Sequence, residues 1–262
     1  MRQTFQLEHR YGDNIHILDD PLANSLLAKL CSPETTQPAI NRLVATLYRQ
    51  MVCDVISHEM QTREVAVLTR MAEKHPQAVW RGRIIDPQMK VVVVCVARAG
   101  IFPSQVCYDF LNELVDPQVV RQDHMLMGRT TNAQGQVNGA AIQGAKIGGP
   151  VEDATLFIPD PMGATGTTIK TLLHHYNQNV AGTPKRVIAM NLIITPEYIR
   201  ALQEAAEDVT IYAYRVDRGL SPEDVLAATP GTFWDRERGL DDSGYIVPGG
   251  GGFGEIMNNS FV

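Results

Sequence analysis

The chain has 262 residues, of which 44% are hydrophobic and 20% charged, and its net charge at pH 7 is −6. This composition excludes a disordered chain, a collagen-like repeat and a coiled-coil rod, and the acidic balance argues against a nucleic-acid binder with a broad basic face. No apolar run approaches the roughly 20 residues that span a bilayer, and the four cysteines lack the spacing of a disulfide scaffold. We therefore expect a cytoplasmic protein with neither a membrane nor a nucleic acid as partner.

Strand and helix patterns alternate along the chain, which favours an α/β fold with a parallel sheet covered on both faces. Residues 36–60 repeat apolar side chains near a 3.6-residue period and predict a helix. The β-branched run Lys90–Val96 predicts a strand that is buried on both faces. The other predicted elements are helices at 103–114, 168–177 and 196–206 and strands at 154–158, 186–194 and 209–216.

We interpret residues 1–262 as a single domain. Its glycine-rich, polar segment 128–149 is typical of a flap over a site. The expected parts are a helical N-terminal arm with the start of the core (1–80), the core (81–218), a surface insertion (219–243) and a C-terminal recognition loop (244–262).

The segment Asp160–Thr168, Asp-Pro-Met-Gly-Ala-Thr-Gly-Thr-Thr, lies where a buried predicted strand meets a predicted helix. Ligands of open α/β sheets bind at the carboxyl ends of strands, and small residues let the backbone approach a ligand closely. The N–H groups at a helix start, with the hydroxyls of Thr165, Thr167 and Thr168, suit a phosphate monoester. Asp160 suits sugar hydroxyls or, through water, a Mg²⁺ ion. The alternative interpretation is an ordinary strand–helix turn with a threonine cap.

This segment resembles the signature that binds 5-phosphoribosyl 1-diphosphate (PRPP) in type I phosphoribosyltransferases, and its Asp-Pro-Met start resembles the uracil phosphoribosyltransferases. Arg98-Ala99-Gly100 is similar to the pyrophosphate loop of that family, and Arg129 lies where the family has a second pyrophosphate-binding arginine. Gly244–Gly249 is similar to the uracil loop of the family. The resemblance implies a central parallel sheet flanked by helices, with a small hood formed by the N-terminal arm and the C-terminal loop.

The resemblance also implies an activity, the transfer of the phosphoribosyl group of PRPP to uracil, which gives UMP and pyrophosphate in pyrimidine salvage. It implies Mg²⁺ bound with PRPP, an assembly of two or more copies, and catalytic roles for Arg98, Arg129 and Asp160. The two arginines would neutralise the charge that grows on the pyrophosphate leaving group. The implied PRPP-binding residues are Arg98, Arg129, Asp160, Pro161, Met162, Gly163, Ala164, Thr165, Gly166, Thr167 and Thr168.

The base-binding loop departs from the family pattern, because the Gly-Asp-Ala triplet of the family falls here on residues 251–253 and its aspartate is replaced by Gly252. Glycine still offers main-chain groups to a base, the Phe253 ring suits filling a base pocket or stacking, and Glu255 offers a carboxylate from a shifted position. Two alternatives therefore stay open: transfer to a different base, and a PRPP-binding regulatory protein that has lost transfer. The implied base-binding residues are Tyr245, Ile246, Gly251, Gly252 and Phe253.

Overall fold

A computed structural model of the chain describes residues 6–131, 137–205 and 209–260, with the backbone alone at 129–131, 137, 138 and 140. The strands in this part of the chain are β1 (Ile15–Ile17), β2 (Thr62–Leu68), β3 (Val79–Ile85), β4 (Val91–Ala97), β5 (Val120–Thr131), β6 (Val137–Lys146), β7 (Thr155–Pro159), β8 (Met162–Gly163), β9 (Arg186–Ile194) and β10 (Val209–Val216). The helices are α1 (Pro21–Leu30), α2 (Ala39–Glu59), α3 (Ile101–Leu114), α4 (Thr167–Asn179), α5 (Pro196–Ala205), α6 (Glu223–Leu226) and α7 (Phe253–Ile256).

The main sheet has the strand order β1-β10-β9-β7-β4-β5-β6, and the short β8 pairs with β9. All neighbouring strands run parallel except β5 and β6, which form an antiparallel hairpin. Every residue of β7 is buried, as are the first six residues of β4. Continuous apolar runs belong in strands that are covered on both faces, so the predicted parallel sheet is confirmed.

Two hydrophobic clusters hold the helices against the two faces of this sheet. The alternation of side chains along β4 sends Val93 into the cluster that contains the buried face of α2. Val92 and Val94 point the other way, into the cluster with α4 and α5. The predicted helix at 36–60 is confirmed as α2. No helix in the described residues combines the length and the apolarity needed to cross a bilayer.

Several strands lie where the sequence patterns predicted none. Residues 1–80, interpreted as a helical arm with the start of the core, contain α1 and α2. They also contain β1, which pairs with β10, and β2, which pairs with β3 in a separate hairpin. The segment 128–149, interpreted as a flap, forms the end of β5 and all of β6. Residues 219–243 lie outside both sheets, yet Val225 and Glu237 within them are buried.

Candidate active site

The strand order of the main sheet reverses between β4 and β7. The chain continues from β4 to β5 on one side, whereas it continues from β7 to β9 and β10 on the other. The loops that follow β4 and β7 therefore diverge and open a crevice at the carboxyl edge of the sheet, which is where open α/β sheets bind ligands. The Arg98 loop and the 160–168 turn, the two most informative segments of the sequence, are the two sides of this crevice.

The loop Arg98-Ala99-Gly100 packs directly against the end of β7. A Cβ atom built on Gly100 would lie 2.6 Å from the carbonyl oxygen of Val96 and 2.9 Å from that of Pro159. Backbone atoms cannot yield to such an overlap, so this position accepts only glycine. The contact fixes the loop after β4 against the strand that leads into the opposite side of the crevice.

The 160–168 turn has carbonyl groups that face the protein. The hydroxyl of Thr195 donates to the Ala164 carbonyl at 2.7 Å, and the Thr195 N–H donates to the Gly163 carbonyl at 3.1 Å. Thr195 follows β9 and is completely buried. The Thr165 N–H belongs to the same peptide unit as the Ala164 carbonyl, and the two groups of a trans peptide point in opposite directions. The Thr165 N–H therefore points away from the buried side of the turn.

Asp160 is fixed by a buried polar chain and has a perturbed acidity. Asn191 Nδ2 donates to its main-chain carbonyl at 2.6 Å, and the Tyr198 hydroxyl donates to Asn191 Oδ1 at 3.0 Å. Desolvation by the surrounding protein raises the pKa of the Asp160 carboxyl to about 6, and a hydrogen bond from the Met162 N–H partly opposes this rise. The carboxyl is therefore mostly ionised at pH 7 and can accept hydrogen bonds from hydroxyl groups.

Helix α4 starts from a glycine in the left-handed conformation, Gly166, with φ of 75°. A Cβ atom there would also lie 2.9 Å from Ala201 Cβ, so both backbone conformation and space require glycine. Thr165 is exposed, and its hydroxyl donates to Thr167 Oγ1 at 3.1 Å. The first N–H groups of a helix lack intrahelical partners and carry partial positive charge. Together with these hydroxyls they form a cradle suited to a phosphate group.

The C-terminal segment 244–257 reaches both sides of the crevice. A Cβ atom built on Gly250 would lie 3.4 Å from Met162 Cε, and one built on Gly254 would lie 3.9 Å from the Ala99 nitrogen. These are ordinary van der Waals separations. Two of the stretches that carried the resemblance, the Arg98 loop and the 160–168 turn, therefore meet the C-terminal segment at one place, although the chain separates them by up to about 150 residues.

An ion pair at the end of β10 anchors this segment. Arg215 Nε and Nη2 contact the two carboxylate oxygens of Asp217 at 2.6 and 2.8 Å. The same carboxylate accepts from the Gly249 N–H at 2.7 Å, and Arg215 donates to the Gly249 carbonyl at 2.9 Å. Asp217 is only 2% exposed. Sequence analysis did not predict this role, for which the available signal was an acidic residue directly after a buried strand.

The N-terminal helices cover the C-terminal segment and complete the hood. Gln37 Nε2 donates to the Met257 carbonyl at 2.8 Å. The side chains of Phe253 and Met257 belong to the same buried cluster as Leu27 and Leu30 of α1. The hood that the resemblance implied, built from the N-terminal arm and the C-terminal loop, is therefore part of the structure.

The family model described as "Uracil phosphoribosyltransferase" matches residues 17–237. The chain belongs to the uracil phosphoribosyltransferase family. Uracil phosphoribosyltransferases from Thermococcus sibiricus and Natronomonas pharaonis are each 26% identical to it, over 84% and 93% of this chain and 88% and 95% of theirs. The solved structure of the AQ2163 protein from Aquifex aeolicus has a TM-score of 0.68 at 19% identity, covering 93% of this chain and 97% of that one. This last likeness concerns the fold alone.

The residues expected to bind the base differ in exposure within this uracil phosphoribosyltransferase family member. Tyr245 and Gly251 are exposed, and Ile246 and Gly252 are half-buried. The Phe253 ring is 2% exposed and fills the apolar core beneath the loop. It is therefore not placed to stack on a base, and a role of Phe253 in base binding through its main chain stays a prediction.

Arg129, the second arginine expected from the family, lies in β5, where its backbone pairs with Ala140 of β6. Its side chain lies outside the described residues, so its role stays a prediction. Sequence analysis also missed the buried support of the 160–168 turn by Asn191 and Thr195. The available signal for Asn191 was a single polar residue within the apolar run of β9.

Proposed function

We propose that this protein transfers the 5-phosphoribosyl group of PRPP to uracil and releases UMP and pyrophosphate, as in pyrimidine salvage. The observation that carries the proposal is the crevice, with a phosphate cradle on one side and the Arg98 guanidinium on the other. Membership of the family supports the same pentosyltransferase reaction. A cytoplasmic location belongs to the proposal, because none of the four cysteines, all within the described residues, forms a disulfide.

On the donor side, the start of α4 and the threonine hydroxyls receive the 5′-phosphate, and ionised Asp160 accepts hydrogen bonds from the ribose hydroxyls. Arg98 contacts the pyrophosphate. The bond between C1 of the ribose and the pyrophosphate oxygen breaks as C1 bonds to a ring nitrogen of uracil, which loses its proton. Negative charge then grows on the leaving group, and a planar, permanently charged guanidinium stabilises it.

Mg²⁺ enters this proposal as a companion of PRPP. Magnesium usually keeps several waters and binds one or two carboxylates together with substrate phosphates. The single carboxylate of Asp160 fits that manner of binding, and no group of three or more potential metal-ligating His, Cys, Asp or Glu side chains occurs among the residues the structure describes. Asp160 would hold the ion through water, and the ion would neutralise charge on the pyrophosphate.

On the acceptor side, the main-chain groups of Ile246, Gly251 and Gly252 would read the edge of the base. A planar base with alternating donors and acceptors can be recognised by backbone N–H and C=O groups alone. The Arg215–Asp217 pair holds the preceding glycine, Gly249, and so limits the positions that the loop can take.

The proposal includes an assembly of two or more copies through the β2–β3 hairpin. A two-stranded hairpin is marginally stable alone in water, and the described residues leave most of this one exposed. Its apolar side chains Val67 and Trp80 lie directly opposite each other on one face and are 49% and 48% exposed, and a second copy of the chain would cover them. Val67→Glu should shift the mass measured by light scattering toward the monomer, and an unchanged mass would contradict this part of the proposal.

The deciding experiment measures pyrophosphate release from PRPP and Mg²⁺ with each of several free bases, using the Arg98→Ala variant as the matched inactive control. Release with uracil and formation of UMP would support the proposal. One observation favours a second candidate, a PRPP-binding regulator or a transferase for another base, namely the absence of a carboxylate at Gly252. PRPP binding without turnover, or turnover with another base alone, would select that candidate.

A further inference from the structure

The carboxylate of Glu255 occupies the side-chain space of residue 252, where the family pattern places its aspartate. Glu255 lies on α7, and its N–H donates to the Gly252 carbonyl at 3.0 Å, so the two residues lie one turn apart. A Cβ atom built on Gly252 would overlap Glu255 Oε2. The carboxylate is therefore present at this place in the site, although it is supplied from three residues further along the chain.

The same carboxylate contacts the arginine of the pyrophosphate loop. Glu255 Oε1 accepts from Arg98 Nη2 at 3.3 Å, and Ser260 Oγ accepts from Arg98 Nη1 at 3.0 Å. The Ser260 N–H in turn donates to the Glu255 carbonyl at 3.1 Å. The two acceptors contact both terminal nitrogens of the guanidinium and so fix the direction in which its plane points.

The exposure of this ion pair suits a role in binding more than a role in folding. The side chains of Arg98 and Glu255 are 37% and 31% exposed, so a ligand in the crevice can reach both. Ion pairs of this exposure contribute about 0–1 kcal/mol to the free energy of unfolding. A substitution at Glu255 should therefore change ligand binding with little effect on stability.

We propose that Glu255 is a positioning residue of the PRPP site, which replaces the aspartate absent at residue 252 and orients Arg98 toward the pyrophosphate group. The inference rests on the proposed function. A guanidinium has five N–H donors in a rigid plane, so the donors that face Glu255 and Ser260 determine where the remaining ones point. Without the carboxylate, Arg98 would lose one of the contacts that orient it, and PRPP would have to supply more of its ordering, at a cost in affinity.

Three single variants and one double variant test this replacement. Glu255→Gln keeps the shape and removes the charge, so it should raise the KM for PRPP about 10-fold while kcat falls less, consistent with the loss of one charge-assisted hydrogen bond. Glu255→Ala removes the whole carboxylate and should raise the KM at least as much. Gly252→Asp should also weaken PRPP binding, because two carboxylates then compete for one space. The backbone at Gly252, with φ of −81° and ψ of 94°, accepts an aspartate.

The double variant Gly252→Asp/Glu255→Ala places the charge at the family position, frees the space that the Glu255 side chain fills, and should recover a KM within about threefold of wild type, a difference below 1 kcal/mol. The matched control is Asp224→Asn, which removes a carboxylate of helix α6 from an exposed ion pair with Arg236 and should leave the KM unchanged. Thermal unfolding of each variant separates loss of binding from loss of folding.

The outcomes distinguish this inference from the proposed function. Wild-type protein that neither binds PRPP nor turns over any base would overturn the proposed function. If the wild-type protein is active and Glu255→Gln has an unchanged KM for PRPP, only the proposed role of Glu255 is overturned. Tighter PRPP binding by Glu255→Gln would also overturn it, because Glu255 would then compete with pyrophosphate for Arg98. A folded double variant that is no better than the worse single variant would overturn it too. If a Gly252→Asp variant does not fold, the PRPP affinities of Glu255→Gln and Glu255→Ala test the role of Glu255, and affinities equal to that of wild type would overturn it.

Discussion

The donor-binding and acceptor-binding parts of the site are built in different ways. The donor side, the 160–168 turn, rests on the completely buried residues Asn191 and Thr195, which fix its carbonyl groups from within the main sheet. The acceptor side, the C-terminal loop, depends on the Arg215–Asp217 pair and on helices from the other end of the chain. The donor side is therefore fixed by the register of the sheet strands, whereas residues of the acceptor side can change without disturbing the sheet.

The largest effect on activity should come from Arg98→Ala, which changes the binding of the donor. The variant removes the guanidinium that stabilises charge on pyrophosphate, and loss of one such donor typically lowers kcat about 100- to 1,000-fold. Steady-state release of pyrophosphate measures the effect. Arg236→Ala, which removes the arginine of an exposed ion pair with Asp224, is the control. Equal activities for the two variants would remove Arg98 from the donor site.

Asp160→Asn should lower kcat/KM by about 10- to 100-fold, because hydrogen bonds to a charged acceptor contribute about 1.5–3 kcal/mol. The pKa of about 6 for Asp160 predicts that the wild-type kcat/KM falls as the pH decreases through 6, as the carboxyl becomes protonated. A pH profile of kcat/KM checks this expectation. A wild-type profile that is flat from pH 8 to pH 5 would contradict the role of the ionised form.

Asp160→Asn should lower activity, as above, but raise the stability of the folded protein. Folding raises the pKa of Asp160 from 3.8 to about 6, so the folded state holds this proton more tightly than the unfolded state. The resulting stabilisation is full below about pH 4 and is lost as the pH rises through 6, by no more than about 3 kcal/mol. Asparagine cannot ionise, so Asp160→Asn should raise Tm relative to wild type at pH 8 more than at pH 5. A gain that is larger at pH 5 would refute this linkage.

On the acceptor side, Asp217→Asn should raise the KM for uracil about 10-fold and change the KM for PRPP much less, since one buried charged hydrogen bond contributes about 1.5 kcal/mol. The variant weakens the contacts that fix Gly249 while it leaves the 160–168 turn intact. Initial rates with each substrate varied in turn measure both constants. Equal changes in the two KM values would mean that the two sides are not independent.

The smallest effects should be those on the free energy of unfolding, from replacing one glycine on the donor side and one on the acceptor side. Gly166→Ala and Gly251→Ala both place a side chain at positive φ, which costs about 1–2 kcal/mol. Gly166→Ala also meets Ala201 Cβ at 2.9 Å, whereas a Cβ at residue 251 has no described neighbour within 4 Å. Denaturant unfolding should therefore show the larger loss for Gly166→Ala, by about 1 kcal/mol or more. Equal losses would contradict the tighter packing of the donor side.

The sequence predicted the parallel sheet and the donor turn because both depend on local patterns. The apolar runs of β4, β7 and β9 are typical of strands covered on both faces, and the small residues of 160–168 follow one of them directly. The strands β1, β2, β3, β5 and β6 escaped prediction. They carry polar or exposed residues with no continuous apolar run, and their pairing depends on partners elsewhere in the chain.

The acceptor side could be predicted only in part, because its contacts join residues far apart in sequence. No local pattern indicates that Asp217 binds the Gly249 N–H across 32 positions. The orientation of Phe253 depends on how α7 meets the N-terminal helices, and the ring consequently lies in the core rather than beside a base. The contact of Glu255 with Arg98 likewise spans 157 positions, although the shifted carboxylate itself was visible in the sequence.

The most direct test of the donor site is calorimetric titration of the protein with PRPP and Mg²⁺ in the absence of any base. We expect saturable binding of one PRPP per chain. We also expect binding about 5- to 10-fold weaker for Thr165→Val, which loses one phosphate hydrogen bond of about 1 kcal/mol. A folded wild-type protein that gives no heat with PRPP, or a Thr165→Val variant that binds as tightly as wild type, would contradict the central claim that this turn binds the sugar phosphate.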